Sequence, residues 1–163
     1  MIRQANSNDF EAIASIYNHY ILNSHATFEL KPIDENEIQT RVNTVQNTLG
    51  LPWLVMLQEG ILVGYAYATQ WKARQAYSRS CETSVYIHQH QFGKGYGKAL
   101  YKALISELKQ LDYHALIGGI SLPNDASIRL HESLGYKKIG EFEEVGFKFE
   151  RWINVGYWQL IIP

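Results

Sequence analysis

The stretch QFGKGYGKALYKAL, residues 91–104, sets Gly93, Gly95 and Gly97 alternately with Lys94 and Tyr96 just before a helical pattern begins. Glycines this close together mark backbone that a partner approaches closely. Spacing tests two phosphate motifs directly. A P-loop needs four residues between its glycines and a Ser or Thr after its lysine, whereas Lys98 is followed by Ala99. A dinucleotide fingerprint needs G-x-G-x-x-G; Gly93 and Gly95 supply its first half, but Lys98 stands where the last glycine belongs. What remains is a strand, a glycine turn and a helix starting near Gly97, whose free N–H groups and dipole would hold an anion such as a pyrophosphate. A plain strand-to-helix turn would carry the same glycines. Just upstream, His88 and His90 fall on one face of a strand-like run. Two histidines without a third ligand make a poor metal site, so no metal is expected.

Such residues work only if regular elements hold them. MIRQA reads as a short strand, and NSNDFEAIASIYNHYILNS places Phe10, Ile13, Ile16, Tyr17 and Tyr20 at helical spacing, with Asn8 and Glu11 as its capped start. IDENEIQTRVNTVQNTL repeats the pattern behind Asp34, with Ile38, Val42, Val45 and Leu49 as its stripe. WLVMLQEGILVGYAYATQW reads as two strands about a Glu59–Gly60 turn. SRSCETSVYIHQH alternates, with Cys81, Thr83, Val85 and Ile87 on one face and Glu82, Ser84, Tyr86 and His88 on the other. After the glycines, Leu100, Leu104, Leu108 and Leu111 line one side of a helix. HALIGGISL is a buried strand, NDASIRLHESLG a helix stopped by Gly135, and YKKIGEFEEV and KFERWINVGYWQLII two closing strands. This order predicts an α/β (α+β) fold: a mixed, mostly antiparallel central sheet with helices on both faces.

The 163 residues suffice for one domain, 1–163, with a real core. A hydrophobic share of 46% and a charged share of 19% are those of an ordinary globular chain. A net charge of −1 leaves no electrostatic footprint for nucleic acid or an anionic membrane, so neither partner is expected. The single cysteine, Cys81, fits a reducing compartment. The polar start MIRQANSNDFEAI lacks a signal-like apolar core, and no apolar run approaches the ~20 residues of a membrane span. A cytoplasmic location is the expectation.

Beyond composition, the chain resembles the GNAT family of acetyl-CoA-dependent N-acetyltransferases. That family carries an (Arg/Gln)-x-x-Gly-x-(Gly/Ala) loop between its fourth strand and third helix, where the pyrophosphate of coenzyme A binds. FGKGYG aligns with the loop at Gly95 and Gly97, with Phe92 in the Arg/Gln place and Gln91 beside it as a possible substitute. LPNDASIRLHESLGYKKIG looks like the second family signature. IYNHYI, ATFE, PWLV, VGYAYATQWKARQAY, ETSVYI and GFKFERWINVGYWQL, which together span nearly the whole chain, are similar to the phosphinothricin and methionine sulfoximine acetyltransferase branch.

The resemblance implies a GNAT fold, acetyl-CoA as co-substrate, no metal, a small amino-acid acceptor and a homodimer. It implies Glu82 as the base that deprotonates the acceptor amine, directly or through a water. It places His131 where typical members have a tyrosine that protonates the leaving thiolate. Around the cofactor it implies Gly93, Lys94, Gly95, Tyr96, Gly97 and Lys98 at the phosphates, the backbone of Val85 and Ile87 at the pantetheine, and Asn124 at the cofactor arm. Tyr136 reads as a core residue. For the acceptor it implies Phe28 and Glu29 as a lining loop, and Lys72, Arg74 and Tyr77 beyond the long strand. An arginine fork suits a carboxylate, phosphinate or sulfoximine oxygen. Cys81 points away from Glu82 in a regular strand, which favours a packed thiol and direct transfer over an acetylated enzyme. The alternatives are another amine acceptor, such as a peptide N-terminus or a polyamine, and a non-catalytic acyl-CoA-binding module.

Overall fold

The computed structural model describes residues 1–163. Strand β1 (Ile2–Gln4) leads through a 3-10 turn into α1 (Phe10–Asn23), and α2 (Glu35–Asn43) ends in a π-type turn over Thr44–Thr48. Next come β2 (Trp53–Gln58), β3 (Ile61–Gln70), β4 (Ser80–Ile87), α3 (Tyr96–Gln110), β5 (Ala115–Ser121), α4 (Asp125–Glu132), β6 (Lys137–Lys148) and β7 (Arg151–Ile161). The seven strands form one sheet in the order β1-β2-β3-β4-β5-β7-β6. Only β4 and β5 run parallel. The predicted mixed sheet is thus present.

Strand register decides which helix meets which side chain. Trp53, Tyr65, Tyr67 and Tyr86 share the face of Glu82. There Tyr17 and Tyr20 of α1 meet Tyr86 edge-on at 5.2 and 5.1 Å, so α1 covers this face. Cys81 and Thr83 look the other way, where Tyr101 of α3 stacks on Tyr136 and Trp158 Nε1 donates to Glu132 of α4 at 3.2 Å. Leu100, Leu104 and Leu108 are wholly buried on that side. Helices therefore lie on both faces.

Several boundaries differ from the sequence reading, each for a local reason. The cap of the first helical segment is Asn6 with Asp9, not Asn8 with Glu11: Asn6 accepts from Asn8 N while Asp9 accepts from Asn6 N at 2.8 Å. Leu111 lies past the end of α3 and is 49% exposed, so the stripe stops at Leu108. The last two strands meet at a tight turn, with Phe149 and Glu150 at positive φ, which extends β6 through Lys148. His88 and His90 leave the sheet into a 3-10 turn, where His88 Nδ1 accepts from His90 N at 3.3 Å.

Asp9 is 4% exposed and accepts from both guanidinium nitrogens of Arg3, at 2.7 and 2.9 Å, as well as from the Asn6 N–H. It ties β1 to the start of α1. Asp9→Ala strips three bonds at once and is expected to cost about 1–3 kcal/mol. A thermal melt unchanged from wild type would contradict this account of the junction.

Candidate active site

The parallel ladder between β4 and β5 is short. It joins Ser80 to Ala115, Cys81 to Leu116 and Glu82 to Ile117, and no further. Beyond that level β4 pairs only with β3, and β5 only with β7. The strands part, and a cleft of about 560 Å³ opens between them, a size suited to a small-molecule ligand. Its walls are Thr83–Ile87, Gly119–Ser121, the α4 cap Asn124 with Ser127 and His131 of the helix, and the end of α1.

Two glycines sit where the strands part. A Cβ on Gly118 would lie 2.6 Å from His131 Nε2, so the bare backbone is what admits the imidazole. On the opposite face, a Cβ on Gly119 would lie 3.5 Å from Glu82 Oε1 and 3.3 Å from Tyr157 Cε1. Glu82 and His131 thus stand on opposite faces of the sheet beside adjacent glycines: His131 lines the cleft, and Glu82 lies at its edge, in the last pair of the ladder.

Their electrostatics differ as well. The Glu82 carboxylate has no hydrogen-bond partner in the chain, and burial raises its pKa. His131 is 3% exposed, and burial lowers its pKa. His131 Nδ1 lies 2.7 Å from the Ser127 carbonyl and must donate to it, which leaves Nε2 to accept from the Tyr101 hydroxyl at 3.1 Å. Tyr101 lines the cleft too. The sequence hid it among the leucines of KALYKAL, where an aromatic at helical spacing reads as core. Tyr136 is indeed core, 2% exposed, with its hydroxyl 3.0 Å from Thr83 Oγ1.

The end of α1 bridges the parted strands. The Tyr20 hydroxyl donates to Ile87 O at 2.7 Å and accepts from Ile87 N at 3.3 Å. On the β5 side, His25 Nδ1 lies 3.1 Å from Ser121 Oγ, which donates in turn to the His25 carbonyl. The backbone of Ile87 therefore faces the cleft but is already satisfied. Val85, two residues earlier, pairs with Ala66 of β3 and has no strand opposite it on the β5 side.

The glycine stretch forms the turn at the head of α3. Gly93 and Gly95 sit at φ +77° and +79°, and the helix starts at Tyr96, one residue before Gly97, with no side-chain cap. Its first N–H groups are free for an anion. Lys98 is exposed; Lys94 donates to Gln91 Oε1 at 2.7 Å, so Gln91 is engaged within the loop. Phe92, 57% exposed, lies against Tyr20 and borders the cleft. Asn124 caps α4 by accepting from Ser127 N at 3.1 Å while lining the cleft.

None of Phe28, Glu29, Lys72, Arg74 and Tyr77 borders the cleft itself. Lys72, Arg74 and Tyr77 occupy the exposed β3–β4 connection, where neither cation makes a side-chain hydrogen bond within the chain. The Phe28 ring packs over Gly146. Glu29 is bound at both oxygens by Arg41, at 2.6 and 2.8 Å, and also by the Tyr17 hydroxyl; Arg41 first, against burial, pulls its pKa down. Cys81 is fully buried on the far face from Glu82, its thiol pushed up to about 12 by burial. No three His, Cys, Asp or Glu side chains converge on a metal-sized point.

Because His131 is held by Ser127, Tyr101 and the edge of Tyr136, it cannot swing aside for a larger residue 118. Gly118→Ala is expected to cost about 1–3 kcal/mol through overpacking, read as a lowered Tm. A variant as stable as wild type would mean that the ring relaxes freely.

The comparisons agree with this geometry. The family profile described as acetyltransferase (GNAT) domain matches residues 2–155. The chain is 40% identical to a phosphinothricin N-acetyltransferase of Streptomyces viridochromogenes over 97% of its own length and 85% of the relative's. It is 36% identical to an L-methionine sulfoximine/L-methionine sulfone acetyltransferase of Salmonella typhimurium, over 98% and 92%. A GNAT superfamily phosphinothricin acetyltransferase from Sinorhizobium meliloti, solved in complex with acetyl-CoA, superposes with a TM-score of 0.96 at 35% identity, covering 99% of this chain and 88% of the other. The parted strands, the glycine-headed helix and these relatives together make the chain a member of the GNAT family, an acetyl-CoA-dependent N-acetyltransferase of the phosphinothricin and methionine sulfoximine branch.

Proposed function

We propose that this enzyme, as a single domain, transfers acetyl from acetyl-CoA to the α-amine of a small amino acid with a tetrahedral oxo side chain: phosphinothricin, methionine sulfoximine or methionine sulfone. The observation that carries the reading is Glu82, a carboxylate without a hydrogen-bond partner, raised in pKa by burial, at the last pair before β4 and β5 part. Amine approaches on the Glu82 side, and the carboxylate takes its proton as the new C–N bond forms. The C–S bond breaks toward the other face, where Tyr101 and His131 form a hydrogen-bonded pair. As the C–S bond breaks, the Tyr101 hydroxyl turns from His131 Nε2 to the departing sulfur and gives it its proton; cleft water returns a proton to the tyrosine oxygen, and Glu82 releases its own to solvent. His131, neutral and locked by Ser127, holds that hydroxyl in the cleft until the thiolate forms. The pyrophosphate lies on the free N–H groups at the head of α3, between Gly93 and Lys98, and the pantetheine runs along Val85 past Asn124. Burial and orientation of Cys81 support direct transfer in a ternary complex. Arg74 receives the side-chain oxo group as a fork, with Lys72 as a mobile second charge and Tyr77 and Phe28 as apolar lining. The reduced thiol suits a cytoplasmic setting.

The test is an acceptor panel. Phosphinothricin, methionine sulfoximine and methionine sulfone are expected to be acetylated far faster than spermidine or a peptide N-terminus, and Arg74→Ala to weaken these three more than methionine. Acetylation of only polyamine or peptide sinks the acceptor assignment, and no turnover of any amine would favour a binding module. Glu82→Gln is expected to lower kcat by ~10²–10⁴ with the KM for acetyl-CoA nearly unchanged. A base must be unprotonated, so wild-type activity falls as pH drops through the raised Glu82 pKa, above the usual ~4.3. That acidic limb disappears in the variant. Its survival would place the base elsewhere.

The enzyme is also proposed to be a homodimer. The edge strand β6 and its turn expose Ile139, Val145, Phe147, Phe149 and, across on β7, Trp152, each more than half exposed. An apolar strip of this kind marks an interface. Sedimentation of wild type as a dimer and of Trp152→Glu as a monomer is expected; a wild-type monomer at micromolar concentration refutes it.

A further inference from the structure

An acceptor amine has to reach Glu82, and the bridge from Tyr20 to Ile87 and from His25 to Ser121 closes the cleft over its upper part. The side chain attached to that amine must therefore lie along the Glu82 face of the sheet. The neighbours there are aromatic. Tyr157 Cε1 and Glu82 Oε1 lie within 3.3 and 3.5 Å of the same point beside Gly119. Trp71, the first residue after β3, meets Tyr157 edge-on with ring centroids 6.0 Å apart. Phe142 of β6, itself 59% exposed, meets Tyr157 from another side at 5.7 Å and nearly perpendicular. Lys72 Nζ stands 5.3 Å from the Trp71 centroid. Trp71 and Tyr157 are only partly covered by the chain. A carboxylate, an apolar shelf and a cation thus follow one another along a single face.

We propose that Trp71 and Tyr157 form the subsite for the acceptor's side-chain arm, with Phe142 as the residue that positions Tyr157. The inference rests on the acceptor being an α-amino acid and defines its class. It is an amino acid with an unbranched methylene or thioether arm, or an aromatic ring, long enough to cover both rings. Sulfur-bearing arms gain from contact with ring edges, and flat rings from stacking. The oxo group at the arm's end is read separately, by the cations beyond Trp71. Unoxidised methionine and norleucine are therefore substrates, whereas alanine, which cannot reach the shelf, is a poor one.

The experiment measures kcat/KM for methionine sulfone, methionine, norleucine and alanine with wild type, Trp71→Ala and Tyr157→Ala, alongside the KM for acetyl-CoA and a thermal melt. The long-arm acceptors are expected to lose ~10-fold or more, through KM, while alanine changes little and acetyl-CoA not at all. Trp71→Phe and Tyr157→Phe keep a ring and recover most of the loss. An equal loss for alanine, a raised KM for acetyl-CoA, or full activity in both alanine variants overturns the shelf. If wild type acetylates no amino acid, the proposed function fails, and the shelf is read with simple amines instead. A ~10-fold preference for 3-(methylthio)propylamine over methylamine that Trp71→Ala abolishes supports it; equal rates, or turnover of neither, overturn it.

Discussion

A parallel ladder that stops after three residue pairs is the constraint on which this molecule depends. β4 and β5 are joined from Ser80 to Glu82 and then diverge, each keeping its outer partner. Backbone groups in the gap lose the neighbour a continuous sheet would provide, and an unpaired buried amide is costly. The chain answers this locally. Tyr20 satisfies Ile87, and Ser121 engages His25, so the end of α1 roofs part of the gap. What stays open, around Val85, is an extended edge of the kind that recruits an extended ligand by backbone pairing. The helix that follows β4 then turns its uncapped start toward the same end.

Because the gap passes through the sheet, the two faces can be given opposite chemistry. Burial acts on both titratable groups, and in opposite senses. It raises a carboxyl and lowers an imidazole, so that each is pushed toward its neutral form. Glu82, raised but still open to solvent, becomes a stronger base than an ordinary carboxylate. His131, with one nitrogen bound to Ser127 and the other to Tyr101, has both ring nitrogens engaged. Residue type alone would give these two similar acid–base parts; their hydrogen bonds separate them.

The sequence disclosed what depends on local pattern. The Glu59–Gly60 hairpin, the alternation of β4 and the leucine stripe of α3 need only periodicity and turn chemistry, and they are present. The glycine stretch could be read as a strand-to-helix turn but not as an anion site without the family resemblance, since glycine spacing alone fits both. Long-range facts stayed hidden. That Tyr101 meets His131 thirty residues away, or that Trp71 meets Tyr157 from the far end of the chain, follows from sheet order, and no window of sequence contains it. Asn6 and Asn8 are equally good capping types, and what separates them is Asp9, which Arg3 holds and which accepts from the Asn6 N–H.

Carboxylates show how the fold divides structure from chemistry. Asp9 accepts three hydrogen bonds and joins β1 to α1. Glu29 is held by Arg41 and Tyr17 and fixes the loop that carries Phe28. Each is more useful fully paired, since a satisfied charge costs little and specifies one geometry. Glu82 has no such partner. Leaving it so costs stability, a cost that a hydrogen-bond donor from β3, β5 or β7 would lower. Instead it lies beside Gly119, which has no side chain, with the Tyr157 ring at the same glycine. A carboxylate left without a partner in this way is the mark of a functional site, and under the proposed function the acceptor amine is the partner that meets its free lone pairs.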